Sequence, residues 1–80
     1  MRVTVKLHAT LRKYLPPQSN DNAIVLEVPA ETTVADVLAR LSIPSDHAKM
    51  IVAGGEHLQP TSVLHDGQEI NLFPPLAGGL

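Results

Sequence analysis

The residues whose types and order could do chemistry lie at the end of the sequence, in Phe73-Pro74-Pro75-Leu76-Ala77-Gly78-Gly79-Leu80. A strand-like run, Glu69 to Phe73, meets a proline pair that cannot continue a ladder, because proline lacks the N–H and has a fixed φ. The chain must leave the sheet there. After the prolines only Leu76 and Leu80 have side chains larger than a methyl group, so the backbone can be approached closely from all sides. The expectation is a body, residues 1–73, holding out a thin, flexible arm, residues 74–80, as the working part.

The other candidates for chemistry are weaker. The four histidines, His8, His47, His57 and His65, show neither the i, i+4 helical spacing nor the finger spacing of a zinc site, and cysteine is absent. Surface histidines are the expected reading. Asp36, Asp46, Asp66 and Glu69 could be paired as acid and base, but a cap, two turns and a strand surface account for them. No intrinsic catalysis is expected. The lack of thiols also removes disulfides, thiolate metal sites and cysteine nucleophiles together.

Length and charge narrow the classes further. A chain of 80 residues makes one small domain that buries only about 60% of its unfolded surface, which argues against a deep substrate cleft. The net charge is −2, the six basic residues are scattered, and there is one Tyr and one Phe. Nucleic-acid binding therefore has little support. Nothing in the sequence is long and apolar enough to span a bilayer, so a cytoplasmic protein is expected.

The elements that must position the arm emerge from periodicity. Arg2 to His8 alternates, with Val3, Val5 and Leu7 on one face, which predicts a half-buried strand. Leu11, Tyr14 and Leu15 fit a short helix over Ala9 to Leu15 that Pro16-Pro17 stops. A polar loop comes next, and Ala23 to Val28 reads as a second strand. Val34, Val37, Leu38 and Leu41 recur at helical spacing behind Thr33, which forms a capping-box-like start with Asp36. This stripe is expected to be core, and Ile43-Pro44 ends the helix.

Met50 to Ala53, Gly54-Gly55 and Glu56-His57-Leu58 predict a hairpin. Val63-Leu64 is expected to return to the core, and Asp66-Gly67 turns the chain into the last strand. There Ile70 and Leu72 face inward by parity, leaving Phe73 on the face shared with Glu69 and Asn71. Phe73 is then either an exposed docking anchor or a ring covered by a loop.

This order of elements, closing on Asp66-Gly67-Gln68-Glu69-Ile70-Asn71-Leu72-Phe73 and the Pro-Pro-(apolar)-(small)-Gly-Gly ending, resembles the ubiquitin-like β-grasp sulfur carriers. It is most like the small subunit of molybdopterin synthase and less like the thiamine-pathway carrier. The likeness runs over the whole chain, through Thr33-Val34-Ala35-Asp36-Val37-Leu38 and Val63-Leu64-His65-Asp66-Gly67. It implies an α+β fold, a mixed four- to five-stranded sheet packed on one main helix. Gly54 departs from the asparagine of many relatives, a change that leaves the turn intact because both residue types tolerate positive φ.

The resemblance further implies a carrier protein, the non-catalytic small subunit of a sulfurtransferase complex. An E1-like adenylyltransferase would use ATP to activate the carboxylate of Gly79, and a sulfur donor would convert it to a thiocarboxylate. The arm, with Phe73, Pro74, Pro75, Leu76, Ala77 and Gly78 as its contacts, would then enter the molybdopterin synthase large subunit. The chain itself would bind no cofactor. A glycine carboxyl, ionised above a pKa of about 3.3–3.7, is a competent nucleophile toward the α-phosphate of ATP. Without cysteine, such an acyl group is the one place where covalent sulfur could sit.

In this sequence Leu80 comes after Gly79, so Gly79 has an amide carbonyl and the intact chain is expected to be inert until a peptidase removes Leu80. Two alternatives share the fold: a ubiquitin-like modifier, or a carrier for thiamine or cysteine synthesis, attached or charged through the same residue. A third is a non-reactive β-grasp interaction module.

Overall fold

The structure is a computed structural model that describes residues 1–16, 22–48 and 50–75. Leu76, Ala77, Gly78, Gly79 and Leu80 lie outside the described residues. Strands β1 (Arg2–Leu7), β2 (Ala23–Glu27), β3 (Met50–Ala53), β4 (Glu56–His57) and β5 (Glu69–Phe73) form one five-stranded sheet in the order β2-β1-β5-β3-β4. β1 and β5 run parallel at the centre, and the other neighbouring pairs are antiparallel. One helix, α1 (Val34–Arg40), covers the apolar face of this mixed sheet. This mixed five-stranded sheet under one main helix is the ubiquitin-like β-grasp fold that the resemblance implies.

Alternation in β1 and β5 sends Val3, Val5, Leu7, Ile70 and Leu72 to the same side, where each is fully buried. Val34, Val37 and Leu38 of α1 close over them, joined by Leu11, Ile43, Ile51 and Leu64. Leu41, the fourth member of the helical stripe, is half-buried at the margin. The helix starts where expected. Thr33 accepts from the Asp36 N–H at 3.3 Å, and the Asp36 carboxylate accepts from the Thr33 N–H at 3.0 Å. Two of the donors that a helix start leaves unpaired are thus satisfied reciprocally. The Arg40 guanidinium donates to the carbonyl of Glu27 at 2.6 Å, tying the last turn to the edge strand.

The end of α1 differs from its expected form. Ile43-Pro44 is the stop that the sequence predicts, yet the stop comes earlier, at Ser42, in the left-handed region with φ 61°. Its N–H donates to the Ala39 carbonyl (3.1 Å) and the Ile43 N–H to the Leu38 carbonyl (2.9 Å). These two bonds make a Schellman motif, and buried Leu38 and Ile43 supply its apolar contact. Serine here has a Cβ that glycine would not. Ser42→Gly is expected to raise stability by roughly 0.5–1 kcal/mol, read as a higher urea midpoint at unchanged m-value; an unchanged midpoint would contradict the strain.

Smaller differences arise from packing. The first short helix is a 3₁₀ helix, Ala9–Tyr14, starting at Ala9 with φ 54°. Its three-residue turn places Leu11 in the core and Tyr14 one turn later at the margin, and Leu15 becomes the C-cap. Gly54 and Gly55 both have positive φ, 58° and 84°, as the two-residue hairpin turn between β3 and β4 requires. Val63 does not return to the core. It is 48% exposed and bridges Thr33, while its neighbour Leu64 is buried. The one buried polar side chain among the described residues, Thr32, donates to the Pro29 carbonyl at 2.7 Å.

Candidate functional site

The arm leaves the body from the end of β5, at the middle of the sheet. Parallel pairing in the register Leu7↔Leu72, with the His8 N–H donating to the Leu72 carbonyl at 3.1 Å, fixes the last residues of β5 against the exit of β1. On the other side Met50 is the register partner of Phe73, and Ile51 of Leu72. Strand neighbours on both sides therefore hold the root of the arm. Pro74 is half-buried and Pro75 exposed, so the chain is already leaving the surface at the second proline.

Phe73 shares the outer face with Glu69 and Asn71, as parity predicts. It is neither fully exposed nor covered by a loop. Its ring is half-buried under the imidazole of His8, with centroids 4.4 Å apart and planes 9° from parallel. The same imidazole places Nε2 2.9 Å from Asn71 Oδ1. One histidine thus engages both outer-face residues at the end of the last strand. Met50, 44% exposed, continues the apolar surface beside Phe73. Further along, Lys6 pairs with Glu69 at 3.1 Å, an exposed ion pair worth about 0–1 kcal/mol. The outer face thus grades from polar at one end to apolar where the arm begins.

His8 is the residue that the sequence undervalued, because a histidine at the end of a strand reads as solvated surface. The available signal was parity. The alternation of β1 puts His8 on the same face as Lys6, and that of β5 puts Phe73 with Asn71, but only the parallel pairing of the two strands makes them neighbours. The remaining sequence candidates are dispersed. Asp36 caps α1, Asp66 Oδ1 accepts from the Arg2 N–H at 2.8 Å, and His47 Nδ1 lies 3.3 Å from the Tyr14 hydroxyl. Among the described residues no group of three or more His, Asp or Glu side chains is placed to hold a metal ion. The depression between Asp46, Ile51, His57 and Pro60, about 380 Å³, opens to solvent on the side of β4. Among the described residues no helix is long and apolar enough to cross a membrane.

The candidate site is thus the end of β5, where the stacked His8–Phe73 pair lies just before Pro74-Pro75. Comparison with known proteins bears on the family and the fold. The model of the Mut7-C ubiquitin family matches residues 1–77. No curated protein sequence matches the chain. Among solved structures, the chain is similar to the Haloferax volcanii protein HVO 2177, at 26% identity and TM-score 0.75, over 99% of this chain and 87% of that one. SAMP1 from Haloferax volcanii is similar at 23% identity and TM-score 0.73, over 99% and 100% of the two chains. A putative molybdopterin converting factor, subunit 1, from Pyrococcus furiosus is similar at 19% identity and TM-score 0.69, over 94% and 98%. The family match spans nearly the whole chain, and the sheet order, the single covering helix and these likenesses agree with it: the chain belongs to the Mut7-C ubiquitin family and has the ubiquitin-like β-grasp fold.

Proposed function

We propose that the chain is a sulfur carrier whose body, residues 1–73, presents an arm, residues 74–80, that reacts at Gly79 in the form ending there. The observation that carries this reading is the succession of a strand end held on both sides and the ending Phe73-Pro74-Pro75-Leu76-Ala77-Gly78-Gly79. In the first step a carboxylate oxygen of Gly79 attacks the α-phosphorus of ATP in an E1-like adenylyltransferase, and pyrophosphate leaves. In the second, hydrosulfide from a sulfur donor attacks the acyl carbon, AMP leaves with the bonding pair, and the thiocarboxylate remains. The chain contributes the acyl group and its presentation; ATP and the catalytic groups belong to the partner.

The molybdopterin pathway is our preferred destination, with the arm entering a molybdopterin synthase large subunit in the cytoplasm. Its support is the Phe-Pro-Pro ending together with the likeness to the putative molybdopterin converting factor, subunit 1, from Pyrococcus furiosus. A second reading, a modifier joined through Gly79 to lysines, is favoured by the likeness to the small archaeal modifier protein 1 of Haloferax volcanii. Mass spectrometry of the protein isolated from its host separates the two. A terminus at Gly79 with oxygen exchanged for sulfur is the expected result. Lysine peptides branched with Gly-Gly, without sulfur, would replace the carrier by the modifier, and a terminus carrying neither would overturn both.

A further inference from the structure

Four residues, 76 to 79, separate Pro75 from the reacting carbonyl, a reach of at most about 14 Å fully extended. A partner that encloses Gly79 in a catalytic site must therefore bring its own surface against the root of the arm. The body surface there is formed by Phe73, His8 and Met50. The first and last are apolar, and any partner with an apolar patch could meet them. His8 is the exception, and its chemistry is set by its neighbour.

The structure places Asn71 Oδ1, an acceptor, 2.9 Å from His8 Nε2, an arrangement that makes a hydrogen bond in the tautomer with the proton on Nε2. In the neutral imidazole the proton cannot also be on Nδ1, which is left as a bare acceptor. Among the described residues no donor is bonded to that Nδ1. The stack on Phe73 holds the ring plane, and so the direction of its lone pair, nearly parallel to the phenyl ring.

We propose that His8 determines the specificity of docking: the protein that receives the arm brings an N–H donor, from arginine, lysine or backbone amide, onto His8 Nδ1 beside an apolar patch that covers Phe73 and Met50. Asn71 acts through His8 as the positioning residue that selects the tautomer. This inference rests on the carrier reading for the identity of the partner, the E1-like adenylyltransferase. A partner lacking the donor buries an unpaired acceptor, and one lacking His8 leaves its own donor unpaired; either mismatch weakens binding on the order of tenfold or more.

The test is calorimetric titration of the full 80-residue chain into the E1-like adenylyltransferase of its host, combined with ¹⁵N spectra of the histidine rings of the free chain. The unsubstituted chain is expected to bind and His8 to be protonated at Nε2. His8→Phe retains an aromatic stack and removes the acceptor; it should bind about tenfold more weakly or worse, with little change in thermal midpoint. Asn71→Ala leaves the ring in place, releases the tautomer, and should weaken binding several-fold. A His8→Phe or Asn71→Ala chain that binds as tightly as the unsubstituted one overturns the proposal, as does an Nδ1-protonated His8. Failure of the unsubstituted chain to bind overturns the carrier reading itself and the proposal with it.

Discussion

Incubated with ATP and the E1-like adenylyltransferase of its host, the 80-residue chain is expected to form no acyl-adenylate, and a chain ending at Gly79 is expected to form one. The reason lies in the acyl group. In the longer chain the Gly79 carbonyl is an amide, whose oxygen is a poor nucleophile toward phosphorus and which offers no ionised carboxyl. The carboxylate of Leu80 is ionised at neutral pH, but it sits one residue beyond the position that a partner fitted to two glycines would align. Displacement by one residue moves the nucleophile by about 3.3–3.6 Å, and a misplacement of even about 1 Å costs on the order of a hundredfold in rate. The isobutyl side chain adds a steric term at the place where glycine has none. Pyrophosphate release coupled to detection of the acyl-adenylate by mass reads the result directly. A comparable rate from the longer chain would mean that the partner does not measure the arm from its root, and the short-leash argument for docking at Phe73 and His8 would fail as well.

Much of this architecture is written locally. Thr33 and Asp36 mark the start of α1 because a capping box needs only residues three apart, and Gly54-Gly55 marks the hairpin because its turn needs two positive φ values in succession. Inward and outward faces of β1 and β5 come from alternation. What escaped depends on long-range pairing or on a tertiary override. Ser42 carries none of the usual signs of a helix stop, and it adopts positive φ because burying Leu38 and Ile43 together outweighs a local strain. Val63 reads as core by type, but its bridge to Thr33 points it outward.

The arm is legible in composition, and the roles of Leu76, Ala77, Gly78 and Gly79 rest on sequence alone. Its root is half legible. Parity gives the face of Phe73, and the parallel register between strands more than sixty residues apart supplies His8 as its partner. No local pattern encodes such a meeting, since it arises when the first and last strands are placed side by side.

Leu72→Ala is expected to be the most destabilising substitution near the site, and it separates folding from docking. Leu72 is fully buried on the central strand, in register with Leu7 on one side and Ile51 on the other. Truncation removes its contacts with both neighbouring strands and with the residues of α1 that close over them. Leucine-to-alanine changes at such positions cost about 2–5 kcal/mol. A domain of this length has roughly 4–12 kcal/mol in total, so a loss near 3 kcal/mol removes a large share of it. The thermal midpoint should fall on the order of 10–20 °C. The backbone is not altered, however, and the bond from the His8 N–H to the Leu72 carbonyl does not depend on the leucine side chain. Well below its midpoint the variant should therefore bind the adenylyltransferase with nearly unchanged affinity, the reverse of what is expected for His8→Phe. A fall of only a few degrees would show that the cavity collapses onto Leu7 and Ile51. Lost affinity at low temperature would show instead that the His8–Phe73 stack depends on the packing beneath it, and that the outer face and the core of this sheet cannot be perturbed independently.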